Sequence, residues 1–160
     1  MSDTEKIQDI LKQTEVFKSL SDGEIEKIVQ LASIYKTEKD KRLFKEDESA
    51  DSLWVVAEGN IDLRFELPAR ETSKQQTITT LSGKKILGWS SLIPPRKYRL
   101  SAYCASQECT LVKINGEQLI EYLKDNPEPG YRVMSAMIKV VGNRFEDLQA
   151  SADAAPIAKA

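Results

Sequence analysis

Residues 87–102 read LGWSSLIPPRKYRLSA, and the order of apolar, glycine, hydroxyl and proline residues in this stretch decides what kind of fold the chain can adopt. Lys85-Ile86-Leu87 has the character of a strand end, and Gly88 follows it. Trp89 to Ile93 can turn one helical coil before Pro94-Pro95 forbids its continuation, because proline lacks an N–H and biases its predecessor away from helix. A strand feeding a short helix through a glycine lets an anion approach the backbone N–H groups closely. Ser90 and Ser91 can cap that helix or offer hydroxyl bonds to a phosphate. Arg96, just past the prolines, can close over the same anion with paired charge-assisted hydrogen bonds. Lys97 and Arg99 read as surface charges, with entry into the pocket as the second reading for Arg99. Trp89 reads first as a packed or pocket-filling aromatic and second as a ring that stacks on a flat ligand group.

On these residues the stretch resembles the phosphate-binding cassette of cyclic-nucleotide-binding domains, the type found in catabolite activators and kinase regulatory subunits. That cassette reads roughly Phe-Gly-Glu-x-Ala-Leu-Leu, then Pro-Arg and a short strand. Leu87-Gly88, Ser91-Leu92-Ile93, Pro95-Arg96, Leu100 and Ala102 take the corresponding places. Trp89 stands where the family's ribose-binding glutamate belongs, and Arg99 where a Thr or Ser is usual. The resemblance therefore implies a cyclic AMP or cyclic GMP type of ligand, with the phosphate half of the site kept and the sugar half lost. LFKEDESADSLWVVAEGNIDLRF, residues 43–65, extends it, except that Asp47-Glu48 replaces the family's Gly-Asp.

The chain has 160 residues, 41% of them hydrophobic, enough for one substantial core. A single domain is expected over residues 1–150, with an Ala-rich disordered tail over 151–160. The formal charge of −2 mixes both signs along the chain, so no basic field is expected to hold a nucleic acid. No apolar run approaches membrane-spanning length, and a cytoplasmic protein is expected. Histidine is absent. The commonest general base, the Ser/His and Cys/His dyads and most protein zinc sites go with it, so neither catalysis nor a bound metal is expected. A cupin-like jelly-roll enzyme would have only carboxylates for its metal. Cys104 and Cys109 can face each other across a tight hairpin but read as buried free thiols.

Ile7, Ile10 and Leu11 follow the capping residues Ser2-Asp3-Thr4 at helical spacing. Ser21 with Glu24 forms a capping box, and Leu20 with Ile25 a hydrophobic staple, which predicts a helix from about Asp22 to Ala32. From Ser33 onward short β-rich runs alternate with polar turns. These runs are Ile34-Tyr35, Leu43-Phe44, Leu53–Val56, Ile61–Phe65, Thr77–Leu81, Tyr98–Tyr103 and Thr110–Ile114. Their spacing predicts an antiparallel jelly roll flanked by helices. Glu58-Gly59-Asn60 reads as a hairpin turn, residues 98–114 as a strand pair, and residues 66–76 as a polar surface loop. Asn115 with Gln118 starts a further helix that ends near Asn126-Pro127.

The last helix carries Tyr131, Met134, Ile138, Val141, Phe145 and Leu148 at alternating steps of three and four. That stripe serves either packing on the roll or pairing of two copies; in the resembled family this helix lids the nucleotide and often joins subunits. The reading as a whole is a stand-alone regulatory module that binds a small anion through Gly88, Trp89, Ser90, Ser91, Arg96 and Arg99. The alternative is a domain that kept the fold and lost the ligand, acting in dimerisation or docking.

Overall fold

A computed structural model describes residues 1–66 and 76–154. The polar loop expected over 66–76 lies outside them except for its two end residues, as does the tail over 155–160. The chain begins with α1 (Asp3–Lys12) and α2 (Asp22–Val29). Each starts at a serine whose hydroxyl accepts from the amide three residues on, while that residue's glutamate accepts from the serine amide: Ser2 with Glu5, Ser21 with Glu24. Two otherwise unpaired amides are satisfied at each start. α2 ends three residues short of expectation, because the chain must turn into β1 at Ala32.

Eight strands follow among the described residues: β1 (Ala32–Glu38), β2 (Arg42–Phe44), β3 (Ser52–Glu58), β4 (Ile61–Arg64), β5 (Thr77–Leu81), β6 (Ile86–Leu87), β7 (Ser101–Cys104) and β8 (Glu108–Asn115). They form two antiparallel sheets, ordered β1-β8-β3-β6 and β2-β7-β4-β5. A 3₁₀ turn, Trp89–Leu92, follows β6. Then α3 (Gly116–Asp125) is capped by the Asn115 side chain, and α4 (Pro127–Ala154) opens on a proline, which loses nothing at a first helical turn.

β3, in the first sheet, is covered on both faces and is buried at six successive positions. Leu53 and Val55 point to a core shared with the helices, together with Phe17, Ile25, Ile28 and Leu119. Trp54 and Val56 point into the roll, with Phe44, Ile61, Tyr98 and Leu111. Each such side chain, fully buried, contributes about 1.5–3 kcal/mol.

Two expected strand pairs are not pairs. Glu58-Gly59-Asn60 joins β3 in one sheet to β4 in the other, and residues 105–107 join β7 to β8 across the same divide. The turn chemistry was right and its consequence was not: the two corners bond to each other instead of closing hairpins. Ala105 N donates to Asn60 O at 2.8 Å, and Asn60 N donates to Ser106 Oγ at 3.0 Å. Gly59, at φ 89°, presses so close that a Cβ there would lie 2.5 Å from the Glu108 carbonyl oxygen. Cys104 and Cys109 flank the second corner and are joined in a disulfide, so the free-thiol expectation is corrected. The corner brings their Cα atoms to 6.1 Å, within bridging range.

The tail expectation is corrected in part as well, since Ser151–Ala154 continue α4. The face of α4 that packs on the body is Val133, Met137 and Val140, all buried. The stripe read from the sequence lies beside that face. Tyr131, Ile138 and Phe145 are 76%, 71% and 60% exposed, while Met134 and Val141 are partly covered.

Candidate functional site

A cavity of about 350 Å³ opens where the end of β6, the 3₁₀ turn and the strand return meet α4. One wall comes from the second sheet, through Phe44, Leu63 and Phe65. A second comes from Leu87, Gly88, Trp89 and Ser90, and a third from Tyr98, Arg99 and Leu100. The cover is α4, through Val141, Arg144, Phe145 and Leu148. The cassette and the last helix thus share one hollow.

Gly88 sits at φ 80°, ψ 27°, a left-handed conformation that costs other residues energy. A Cβ there would come within 2.8 Å of the Ser52 carbonyl oxygen and 3.2 Å of Trp54 and Tyr98. The glycine is therefore required by the fold beneath it as well as by the cavity it lines. Ser91 N and Ser91 Oγ both donate to Gly88 O, at 3.0 and 2.8 Å. Ser91 is fully buried and its β-carbon faces Gly116, so its hydroxyl closes the turn and does not line the cavity. Ser90 does line it, although only 4% exposed.

Trp89 lines the cavity on one side and packs on the helix-side core on the other. It also borders a second apolar hollow with Met134, Met137 and Ile138. The indole is therefore packed on one face and open to the cavity on the other.

The two arginines part company. Residues 96–98 are stitched to residues 47–50 by backbone bonds: Ala50 N to Arg96 O, Tyr98 N to Glu48 O, and Asp47 N to Tyr98 O. With a left-handed turn at Arg96 (φ 55°), this places Arg96 outside the described cavity lining. Arg99 lines the cavity, is exposed, and has no ion-pair partner among the described residues. Of the two readings of Arg99, the lining matches the one that takes it into the pocket, where Arg144 is a second cation.

Tyr98 and Phe44 stack in the floor at 3.7 Å between centroids. The Tyr98 hydroxyl donates to Ser52 O at 3.1 Å and accepts from Trp54 Nε1 at 3.3 Å. Burial raises its pKa, only partly opposed by these bonds, so it stays a neutral phenol.

Arg144 is the residue sequence reasoning missed. Its guanidinium donates to the backbone carbonyl of Ile86, in β6. Burial pulls its pKa below the usual arginine value, against the opposing charges of Glu15 and Asp147. It continues the buried face of α4 through Val133, Met137 and Val140 in steps of four, three and four. A charged residue at the fourth place of that stripe was the available signal.

A cyclic nucleotide-binding domain model matches residues 36–126. No curated protein matches the chain. Among solved structures, a protein of Geobacter metallireducens classed as cyclic nucleotide-binding is 26% identical, with a TM-score of 0.73, covering 91% of this chain and 99% of its own. A cyclic nucleotide-binding domain from Methylobacillus flagellatus is 20% identical, with a TM-score of 0.71, and the match covers 94% of this chain and 80% of that one. The regulatory domain of Toxoplasma gondii PKA, solved with cAMP, is 17% identical, with a TM-score of 0.64; 76% of this chain corresponds to 45% of that one.

Proposed function

The chain belongs to the cyclic nucleotide-binding domain family, and from that premise we propose that it is a regulatory module that binds a small organic anion in the cavity beneath α4. The observation that carries the reading is the shared lining: the cassette brings Gly88, Trp89, Ser90 and Arg99, and α4 brings Val141, Arg144, Phe145 and Leu148 to the same hollow. A ligand there touches the roll and the last helix at once, so its binding energy biases how α4 docks. Arg99 supplies the charge that an anion pairs with. Arg96 and Ser91 lie outside the described lining, and in this reading Ser91 acts by shaping the turn. No catalytic group is invoked. No described helix is long and apolar enough to cross a membrane.

Titration with cyclic AMP and cyclic GMP, followed by tryptophan emission and by hydrogen exchange in α4, tests whether the family's ligands occupy the site. A saturable change lost in Arg99→Gln supports nucleotide sensing. A flat response to both nucleotides, alongside a response to another anion, keeps the module and excludes those ligands.

The second reading, a docking or dimerisation unit, is favoured by one observation: Tyr131, Ile138 and Phe145 form an exposed apolar line on α4. We take the partner to be a second copy of the chain, since a heptad-spaced line is self-complementary between antiparallel or parallel helices. Sedimentation of Ile138→Glu against the unaltered protein decides it. A dimer that becomes monomeric supports pairing through α4; a monomer in both cases ends this reading.

A further inference from the structure

The hollow beneath α4 is rich in hydrogen-bond donors and poor in acceptors. Among the described residues Arg99 and Arg144 line it, and no acidic residue does. Among the described residues only Ser90 and Tyr98 bring side-chain oxygens to the lining, and the Tyr98 hydroxyl is already engaged with Ser52 O and Trp54 Nε1. Around these polar groups the walls are aromatic and aliphatic, from Phe44 and Leu63 on the sheet side to Phe145 and Leu148 on α4.

We propose that this cavity takes a single-headed organic acid, one carboxylate on an apolar acyl or aryl body, in preference to a cyclic nucleotide. The inference deepens the proposed function and rests on it. A ribose hydroxyl and an exocyclic base amine are donors, and besides the engaged Tyr98 the described lining brings them one side-chain acceptor, Ser90, so a donor left over forfeits its bond to water. The carboxylate is the reverse: an acceptor-only group that matches the two-pronged, donor-only guanidinium of Arg99. Its apolar body meets apolar walls and leaves no polar atom stranded. Trp89, in the lining at the turn, adds to the apolar surface. The volume, about 350 Å³, is at the small end of the roughly 300–1,000 Å³ typical of small-molecule sites.

The test is calorimetric titration of the folded protein with decanoate, 2-naphthoate, 1-decanol, decylamine and cyclic AMP. Saturable binding of at least one acid is expected, with the alcohol weaker by tenfold or more and no binding of the amine. Arg99→Gln should weaken the acid by roughly tenfold to a hundredfold, while Arg96→Gln, outside the lining, leaves it unaltered. Arg99 is exposed, so matched thermal unfolding of Arg99→Gln is expected and separates lost binding from lost folding. Tighter binding of cyclic AMP than of either acid, or an alcohol equal to its acid, overturns this inference and leaves the regulatory-module reading standing. Silence from every probe, cyclic AMP included, up to about 1 mM sinks both.

Discussion

The guanidinium of Arg144, on α4, donates to the backbone carbonyl of Ile86, at the strand end that leads into Gly88. One side chain therefore ties the covering helix to the segment that shapes the cavity floor, and it lines that cavity itself. A ligand carboxylate near Arg144 would share or take over a donor that now holds the helix down.

Replacing Arg144 with Met keeps the length and apolar bulk of the stem and removes the donor. The buried carbonyl loses a charged partner, a loss of about 1.5–3 kcal/mol in local docking. Hydrogen exchange in residues 140–154 should quicken by tenfold or more, with little change in α1 or α2. Exchange equal to that of the unaltered protein would show that the tie carries no weight.

Gly88→Ala should destabilise the whole domain. The left-handed φ of 80° and a Cβ 2.8 Å from the Ser52 carbonyl oxygen are both strained, and backbone cannot swing aside. A loss of about 1–3 kcal/mol is expected from denaturant unfolding. An unaltered midpoint would mean that the turn has an alternative conformation of equal energy.

The anchor at the other end of α4 responds to acid. The Glu24 pKa lies below its ordinary value of 4.5, chiefly through the backbone bond at Ser21, with burial opposing it and the bond and charge of Arg132 adding to the lowering. Arg132 grips Glu24 with two bonds of 3.0 Å and donates to Ser19 O at 2.6 Å. A depressed carboxylate pKa gives stability that is present above 4.5 and is lost as pH falls through the lower folded value. Glu24→Gln should therefore cost about 1 kcal/mol or less at pH 7, the pair being partly exposed, and the difference from the unaltered protein should vanish in strong acid. A gap that stays constant with pH would point to a packing effect instead.

The Cys104–Cys109 bridge closes a loop with a sequence separation of five. A ring that short constrains the unfolded chain by about 2 kcal/mol in the entropic account. Thiol titration of the denatured, unreduced protein should find no free thiol, and reduction should lower stability by about that amount. Two titratable thiols before reduction would refute the bridge.

How much was legible in the sequence follows the range of the forces involved. The helix starts at Ser2, Ser21 and Asn115 were readable because a cap is settled within four residues. The strand runs were readable from composition, and the cassette glycine from its place between Leu87 and a proline-stopped coil. Arg96 and Arg99 were not separable in that way. Both follow the prolines, and only the bonds from residues 96–98 to residues 47–50 turn one of them away from the cavity.

The sequence by itself determined the local pieces: capped helices, β-rich runs, the turns at Gly59 and Gly88, and an amphipathic last helix. Tertiary structure alone decided that the Gly59 turn crosses between sheets, that the two cysteines meet, and that α4 buries Val133, Met137 and Val140 with Arg144 beside the cavity. The reason is that strand partners and helix faces are chosen by burial against surfaces distant in sequence. A glycine turn looks the same whether it closes a hairpin or rounds a corner, and a helix with two adjacent apolar stripes shows which one it buries only when the roll is there to receive it.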